Sequence, residues 1–236
     1  MLEVAVASKD FSGAGGPRRV IADLRFALKA GETGALVGPS GCGKTSLLRM
    51  IAGLDTAYEG RIALPAHGRL AMVFQEPRLL PWRSVKDNLR ICAPQASEAR
   101  LDALLGELGL ADHAAHFPGE LSLGLARRVA LARALAIEPD LLLLDEPFVS
   151  LDAVLARELR AGIARLLDGA HVTSLIVTHD LGDAVALADK IFLLCPSPAR
   201  VVATLEVETP RSRMTPEAAQ TLERRAQDAM AAARGG

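Results

Sequence analysis

The nine residues GPSGCGKTS, Gly38 to Ser46, decide the fold of this chain. They match the pattern G-x-x-x-x-G-K-[ST] and follow the apolar run Ala35-Leu36-Val37, and the next segment, LLRMIAGL, has helical spacing with a stop at Gly53. A glycine-rich turn between a strand and a helix lets backbone N–H groups turn inward around phosphate oxygens, and the helix start adds its positive dipole end. The sequence therefore predicts a phosphate-binding loop.

Two side chains of this loop have separate chemical tasks. We expect Lys44 to reach the β- and γ-phosphates of a nucleotide and the Thr45 hydroxyl to bind Mg²⁺. ATP and Mg²⁺ are therefore the predicted ligands. The loop residues predicted to surround the nucleotide are Gly38, Pro39, Ser40, Gly41, Cys42, Gly43, Lys44, Thr45 and Ser46.

A second motif, LLLLDEP, lies at residues 141–147. The continuous apolar run predicts a strand buried on both faces of a sheet, and Asp145 and Glu146 follow at its end. Asp145 would hold Mg²⁺, mostly through water, and Glu146 would polarise an attacking water. Alone, the motif is equally typical of a buried strand that ends in solvated acids. Downstream of a phosphate loop, the catalytic interpretation is favoured.

Gln75 and His179 each follow a predicted strand, LAMVF at 70–74 and SLIV at 174–177. In an open parallel sheet, ligands bind beyond the carboxyl ends of the strands. We therefore expect five polar features to face one crevice: the loop that begins at Gly38, Gln75, Asp145, Glu146 and His179.

The rest of the chain predicts an α/β fold with a mainly parallel sheet. Residues 2–30 read as antiparallel strands around a break at 13–17, and the final 25 or so residues as a helix with a loose tail. Helical patterns cover 97–117, 123–137 and 153–168, and further strands are predicted at 191–195 and 201–207.

Composition excludes several classes of protein. A net charge of −1 gives no electrostatic case for nucleic acid as a partner. Cys42, Cys92 and Cys195 are scattered without zinc-type spacing, which fits a reducing cytoplasm. No signal peptide is visible and no apolar run approaches the ~20 residues that span a bilayer. A role at a membrane would require another chain to hold this one there.

The order of these motifs resembles that of the ATP-binding subunits of ABC transporters, from about residue 1 to 205. Gly38–Thr45 looks like the Walker A loop, and Leu141–Asp145 like Walker B, with Glu146 as the catalytic carboxylate. The resemblance also implies a Q-loop glutamine at Gln75 that links Mg²⁺ to a coupling region, a D-loop at Ser150-Leu151-Asp152, and a switch histidine at His179 that contacts the γ-phosphate.

The resemblance implies a single P-loop NTPase domain with a RecA-like core. The core and its antiparallel β subdomain would span about 1–75 and 138–207, a helical ABC subdomain about 76–137, and a helical tail about 210–236. It also implies a homodimer that closes head to tail around two ATP molecules.

The segment LSLGLARR, Leu121 to Arg128, stands where the family has Leu-Ser-Gly-Gly-Gln. In the family this signature contacts the γ-phosphate held by the partner. Ser122 is a good N-cap and the first free N–H groups, including that of Gly124, would meet the phosphate. Leu123 falls at the first helical position, where any side chain is accepted. A working signature is favoured, with impaired hydrolysis or an ordinary helix start as alternatives.

Two aromatic residues carry alternatives that the sequence leaves open. Phe11 is either an adenine-stacking ring or a core residue of an edge strand. Trp82, in FQEPRLLPWRSVKDNL at 74–89, belongs to an apolar knob that also contains Leu79 and Leu80. This stretch is similar to the Q-loop region of importers for nitrate, sulfonates and taurine. It suits either a socket for a membrane subunit or packing between the helical insert and the core.

The narrower resemblance implies an ATPase that powers a bacterial importer. Its partners would be an integral membrane permease and, indirectly, a periplasmic solute-binding protein, and it would lie on the cytoplasmic face of the inner membrane. The alternatives are a soluble ABC ATPase of DNA repair or translation and a nucleotide-binding regulator that barely hydrolyses ATP. The sequence does not name the solute.

Overall fold

The computed structural model describes residues 1–13, 16–65, 68–170, 172–196 and 198–234. Within these ranges the strands are β1 (Leu2–Gly13), β2 (Gly16–Leu28), β3 (Thr33–Val37), β4 (Glu59–Ala63), β5 (Leu70–Val73), β6 (Leu141–Asp145), β7 (Thr173–Thr178), β8 (Lys190–Leu194) and β9 (Val201–Glu206). The α-helices are α1 (Lys44–Ile51), α2 (Val85–Cys92), α3 (Glu98–Glu107), α4 (Leu123–Leu135), α5 (Ala153–Ala170), α6 (Leu181–Leu187) and α7 (Pro216–Arg234).

Six strands form one mixed sheet in the order β5-β6-β7-β3-β8-β9. Neighbouring strands run parallel except β9, which pairs antiparallel with β8. Every residue of β3, β6 and β7 is buried, as continuous apolar runs predict for strands covered on both faces. The predicted mainly parallel α/β sheet is confirmed.

The register of the central strands sets where their carboxyl ends lie. Val37 of β3 is opposite Thr178 of β7, and Asp145 of β6 is opposite Val177. The three segments that follow these strands therefore begin at nearly the same level of one sheet edge.

Alternate side chains of β6 enter two different cores, because successive residues of a strand point to opposite faces. Leu141 and Leu143 pack in a cluster with α1 and with the apolar side of the first two strands. Leu142 and Leu144 pack in a second cluster with α2, α3, α4 and α5. A third cluster joins β3 and β8 to α6 and α7.

A separate antiparallel sheet has the order β2-β1-β4. Its first two strands confirm the antiparallel pair predicted in residues 2–30, although Ala14 and Gly15 of the predicted break lie outside the described residues. The sequence analysis did not predict β4, because its residues are exposed or half-buried and show no alternation.

The helical segment is more divided than the sequence suggested. The predicted helix over 97–117 is α3 followed by two short 3-10 turns, Ala111–His113 and Pro118–Glu120. Gly109, with φ of 67°, ends the helical region early. The sequence analysis did not predict α2, whose N-cap Ser84 accepts the Asp87 N–H, or the seven-residue α6. The limits of the helical subdomain, 76–137, remain a prediction.

The C-terminal helix was predicted and is present as α7, while the last two residues of the predicted tail lie outside the described ranges. None of the helices that the structure describes has both the length and the apolar character needed to cross a membrane.

Gly60 of β4 is a position where the backbone requires glycine. Its φ is 133°, and an added Cβ would lie 2.2 Å from the Ala5 carbonyl oxygen. We expect Gly60→Ala to lower the free energy of unfolding by about 1–3 kcal/mol, because the sheet backbone must move. Gly106 in α3 is the matched control, since an added Cβ there meets nothing within 4 Å. Gly106→Ala should be neutral or stabilise by up to about 1 kcal/mol. Urea unfolding curves that coincide for the two variants would contradict this prediction.

Candidate nucleotide and catalytic site

The phosphate loop turns through two glycines with left-handed backbone. Gly41 has φ of 75° and Gly43 has φ of 108°, which L side chains rarely adopt. An added Cβ at Gly41 would meet nothing within 4 Å, whereas at Gly43 it would lie 2.9 Å from Val20 Cγ1. The loop thus keeps an open side at Gly41 and a tight contact with β2 at Gly43. This is a backbone arrangement that suits close approach of a phosphate.

Lys44 is the first residue of α1, and its side chain is 5% exposed. Its ammonium donates to the carbonyl oxygens of Gly38 at 2.7 Å and Pro39 at 3.1 Å. It also lies 3.5 Å from Oε1 of Glu146. The Lys44 ammonium is therefore held over the loop, at the place where phosphate oxygens would bind.

The Cys42 side chain is buried behind the loop and does not line the cavity. Its thiol is buried, and an added Cβ at Gly38 would lie 3.0 Å from Sγ, so the side chain fills the space behind the loop. Burial raises the pKa of the Cys42 thiol, which disfavours the reactive thiolate.

Thr45 and Asp145, both predicted to bind Mg²⁺, are joined by a hydrogen bond. The Thr45 hydroxyl donates to Oδ1 of Asp145 at 3.2 Å. Asp145 is buried at the end of β6, and this burial raises the pKa of its carboxyl, with the hydrogen bond from Thr45 acting in the opposite direction. A divalent cation bound here would offset the cost of burying the carboxylate charge.

Glu146 and His179 meet beyond the ends of β6 and β7. Nδ1 of His179 lies 2.6 Å from Oε2 of Glu146. Glu146 has φ of 48°, an uncommon backbone conformation for a residue other than glycine. Such strain persists only where surrounding contacts enforce it, and it is concentrated at functional sites. The Glu146 N–H donates to the Val177 carbonyl at 2.9 Å, which ties the residue to β7.

A cavity of about 490 Å³ opens over these groups, within the size range of small-molecule sites. Predicted residues meet here with two valines that the sequence analysis missed, Val20 and Val149, which carry no polar signal. The lining consists of Phe11, Val20, Ser40, Gly41, Gly43, Lys44, Thr45, Ser46, Gln75, Glu146, Val149 and His179.

Phe11 lies at this cavity and is 43% exposed, so it is not a core residue. The Lys9 ammonium lies 4.8 Å from the centroid of its ring. Lys9 is itself buried and pairs with Asp55 at 2.7 Å. The ring is thus supported from one side by a fixed cation, and stacking on adenine remains the prediction for it.

Seven predicted residues do not line this cavity of their own chain. They are the loop residues Gly38, Pro39 and Cys42, together with Asp145, Asp152, Ser122 and Gly124. Asp152 caps α5, since its Oδ1 accepts the N–H groups of Val154 and Leu155, both at 3.0 Å. Ser122 caps α4 by accepting the Leu125 N–H at 3.3 Å. Gly124 packs against Leu155, whose Cδ2 would lie 2.4 Å from an added Cβ.

The start of α4 has the geometry predicted for a signature. Leu123 is the first helical residue and is 45% exposed, so its side chain points away from the core. The first backbone bond of the helix runs from the Ala126 N–H to the Ser122 carbonyl at 2.9 Å. The N–H groups of Leu123 and Gly124 precede it and so have no carbonyl partner in the preceding turn of the helix, and Gly124 itself is buried.

The loop after Gln75 is held by an arginine that the sequence analysis missed. Arg133 of α4 donates to the carbonyl oxygens of Arg78 at 2.8 Å and Pro77 at 2.9 Å. Arg78 has φ of 47°, and its guanidinium lies 4.3 Å from the centroid of the Phe74 ring. Nothing in the run LARAL distinguishes Arg133 from an ordinary helix-surface arginine.

The residues present fit a magnesium nucleotide. Within the described ranges, no cluster of three or more His, Cys, Asp or Glu is suited to hold a metal ion by itself. Mg²⁺ does not need one, because it keeps several waters and binds one or two carboxylates together with substrate phosphates. The Thr45 hydroxyl and the Asp145 carboxylate are hard oxygen donors, and the Gln75 amide lines the same cavity.

The chain is similar to known ATP-binding proteins of transporters. Residues 21–149 match the family described as ABC transporter. The chain is 42% identical over 206 residues to the aliphatic sulfonates import ATP-binding protein SsuB 2 of Burkholderia lata, covering 84% of this chain and 76% of that protein. It is 42% identical to the protein of the same name from Paracoccus denitrificans, covering 92% of this chain and 88% of the relative. The SsuB 1 protein of Xanthomonas axonopodis pv. citri is 39% identical, with 98% and 95% covered.

Solved structures agree in fold. A dimeric structure of the ATP-binding cassette MJ0796 bound to ADP and Pi has a TM-score of 0.76 at 24% identity, covering 89% of this chain and 100% of that one. The cbiO1 protein of Clostridium perfringens, part of the ABC transporter complex cbiONQ, has a TM-score of 0.74 at 22% identity, covering 94% and 98%.

The ion pair beneath Phe11 generates a pH-dependent prediction. The hydrogen bond from Lys9 holds the pKa of Asp55 below its ordinary value. A carboxyl with a lowered pKa stabilises the fold above its unfolded pKa, and this contribution is lost as the pH falls through the folded pKa. Asp55→Asn should lower the free energy of unfolding by about 1–3 kcal/mol at pH 7, because buried Lys9 loses its charged partner and keeps only the Ala57 carbonyl as an acceptor. The difference from wild type should shrink towards pH 4.

Asp10→Asn is the matched control for that measurement. Asp10 also has a pKa lowered by a hydrogen bond, from Arg19, but both side chains of this pair are exposed to solvent. Thermal unfolding between pH 7 and pH 4 should therefore separate the two variants, since solvent-exposed ion pairs contribute little. Equal destabilisation by both substitutions would contradict the role given to the buried pair.

Proposed function

The chain belongs to the ABC transporter family of ATP-binding proteins, and on that premise we propose that it powers a bacterial importer for aliphatic sulfonates or a related small anion. It is an ATPase. The observation that carries the proposal is the meeting of Lys44, Glu146 and His179 at the phosphate loop, 3.5 Å and 2.6 Å apart in succession. The import role and the class of solute follow from the names of the relatives, which are importers of aliphatic sulfonates.

Binding of the nucleotide follows from the loop. Its inward N–H groups and the Lys44 ammonium would hold the β- and γ-phosphates, and Phe11 would stack on adenine. Thr45, Asp145 and Gln75 would hold Mg²⁺, directly or through water. When bound, the metal ion neutralises charge that develops on the phosphates.

Hydrolysis requires a water oriented for attack. The two oxygens of Glu146 face different groups, since Oε1 lies towards Lys44 and Oε2 towards His179. We infer that Glu146 orients and polarises the water, while His179 fixes the carboxylate and contacts the γ-phosphate. The His179 ring is half exposed, so it remains open to the nucleotide.

A second copy of the chain would complete each site. Ser122 and the free N–H groups that follow it lie outside their own chain's cavity, where a partner's γ-phosphate can be met. Head-to-tail closure supplies that partner, and the MJ0796 cassette of similar fold is described as dimeric. The exposed side chain of Leu123 supports a working signature over a defective one.

The apolar knob of Leu79, Leu80 and Trp82 is the surface proposed for a membrane permease. Trp82 is 69% exposed, so packing inside this chain does not account for it. Leu79, in contrast, packs against the core. Buried Asn88 holds the knob, because it bonds the Leu80 N–H at 2.8 Å and the Ser84 carbonyl at 2.9 Å. A rigid loop that presents an exposed tryptophan suits a protein contact.

On this proposal, the protein is a peripheral subunit on the cytoplasmic face of the inner membrane. Transport would also require an integral permease and, at the outer face, a periplasmic solute-binding protein. A nucleotide-binding regulator with impaired hydrolysis is the competing outcome of the next two experiments.

Glu146→Gln should bind ATP and lose hydrolysis. The amide keeps the shape of the side chain but not its capacity to polarise water, so we expect the rate to fall by about 10²–10⁴-fold. Size-exclusion chromatography with ATP and Mg²⁺ should show a trapped dimer. Lys44→Ala, by comparison, should weaken nucleotide binding, measured by titration with a fluorescent nucleotide. Wild-type turnover in Glu146→Gln would contradict the assigned role.

Ser122→Arg tests the signature, and Ser97→Arg is its matched control. Both serines cap a helix through one N–H, that of Leu125 at 3.3 Å and that of Arg100 at 3.2 Å. Each variant loses a cap worth about 1 kcal/mol, but Ser122→Arg alone should abolish ATPase activity while leaving ATP binding by the monomer intact. Leu123→Gly should preserve or raise activity. Normal hydrolysis by Ser122→Arg in the assembled transporter would reduce the segment to a helix start.

The importer itself is tested by uptake. A strain that lacks this chain should fail to take up radiolabelled ethanesulfonate or taurine, and wild type but not Lys44→Ala should restore uptake. Nitrate and sulfate uptake, measured in the same cells, identify the anion class. Unchanged uptake of every sulfonate tested would overturn the proposed solute.

A further inference from the structure

A partly buried ion pair lies beside the catalytic residues and has no part in the chemistry described above. Arg160 is on α5 and Asp183 is on α6, and Nη2 of Arg160 donates to Oδ1 of Asp183. The Asp183 side chain is 5% exposed and that of Arg160 is 29% exposed. Placing charges away from water costs free energy, which a buried pair does not always recover. Such a pair is therefore a candidate for a role in setting geometry.

On one side this pair fixes the backbone around His179. The second oxygen of Asp183 accepts a long bond from the Thr178 hydroxyl at 3.4 Å. The same hydroxyl accepts the Asp180 N–H at 3.0 Å. Asp180 in turn caps α6 by accepting the Gly182 N–H at 2.7 Å. The residues immediately before and after the histidine thus belong to one hydrogen-bonded group that Arg160 anchors.

On the other side Arg160 contacts the segment that follows Glu146. Its guanidinium carbon lies 5.5 Å from the centroid of the Phe148 ring, and this ring is buried. The Phe148 carbonyl accepts the Leu151 N–H at 3.3 Å, so the ring is part of the turn between β6 and α5. Glu146, two residues earlier, has the strained φ of 48° that only surrounding contacts can maintain.

We propose that Arg160 is a positioning residue for ATP hydrolysis, which holds Glu146 and His179 at their 2.6 Å separation by bracing both segments at once. Arg160 does not line the nucleotide cavity, and its hydrogen bond goes to Asp183. It lines a neighbouring cavity of about 520 Å³, which Glu146 and His179 also line. The inference rests on the proposed roles of Glu146 and His179. A misplacement of about 1 Å in a catalytic group costs on the order of 10²-fold in rate, so a brace of this kind would act on turnover rather than on binding.

Kinetics of three variants provide the first test. Arg160→Met keeps the length of the side chain and removes the charge and its hydrogen bonds, Arg160→Lys keeps the charge, and Arg165→Met is an exposed control on the same helix. We expect Arg160→Met to lower kcat by about 10–100-fold with KM for ATP–Mg²⁺ changed less than about twofold. Arg160→Lys should recover part of that loss, and Arg165→Met should behave as wild type.

A spectroscopic measurement separates positioning from ordinary packing. In the ¹H–¹⁵N spectra of the histidine rings, Arg160→Met should shift the resonances of His179, while those of His113 and His116 in the helical segment stay in place as internal references. Arg160→Lys should move the His179 signals less. This measurement needs no turnover, so it still reports if the wild-type chain proves inactive and the proposed function fails.

Three results would overturn the inference. The first is a lower melting temperature in Arg160→Met with unchanged kcat and unchanged His179 resonances, which would make Arg160 a packing residue. The second is a fall in kcat with the His179 signals unmoved. The third is an equal loss of activity in the Arg165→Met control.

Discussion

The parallel register of β6, β7 and β3 is the constraint on which the rest of this structure depends. It brings the segments after Val37, Asp145 and Thr178 to one sheet edge, although more than a hundred residues separate the first from the last. Backbone hydrogen bonds and burial on both faces make a slip of one residue costly, because it would reverse which side chains enter each core. The 2.6 Å contact of Glu146 with His179 is a consequence of this register.

Around that edge, the protein combines rigid strands with strained turns. Gly41 and Gly43 accept left-handed backbone at little cost, whereas Glu146 accepts it without that freedom. The two glycines and Glu146 therefore have different roles. Glycines let backbone donors face an anion, but a carboxylate that must act on water needs its side chain, so the fold has to supply the support from Val177, Lys44 and His179.

Much of the site could be predicted because its signals are local in sequence. The loop at 38–46 and the apolar run before Asp145 predict both the strands and the ligands. The structure brings Gln75 and His179 to the nucleotide cavity that this loop also lines. The sequence analysis missed residues whose role depends on contacts between segments that are distant in sequence. Arg160 and Arg133 look like surface residues of helices, and only the fold shows what they contact.

The elements that were not predicted have physical reasons of the same kind. The short helix α6 contains Gly182 and offers too few turns for a periodic pattern, while β4 has little apolar surface to alternate. Phe11 was predicted either to stack on adenine or to be a core residue, and these alternatives differ in how far the side chain is exposed. The sequence pattern does not report exposure. In the structure the side chain is exposed, so Phe11 is not a core residue. Leu123 is a case where an unusual residue leaves the predicted structure unchanged. A residue that departs from its family's pattern is accommodated because its side chain leaves the helix start towards solvent.

Trp82 is the single tryptophan of this chain, and it stands in water on the knob proposed to meet the permease. The indole therefore serves as a built-in optical label at the surface where docking of the permease is expected. Its emission in the free subunit comes from a hydrated ring, and burial against another protein would move that emission to the blue and shield it from aqueous quenchers such as iodide. The protein thus carries its own fluorescence signal for assembly, free of background from any other tryptophan in the chain.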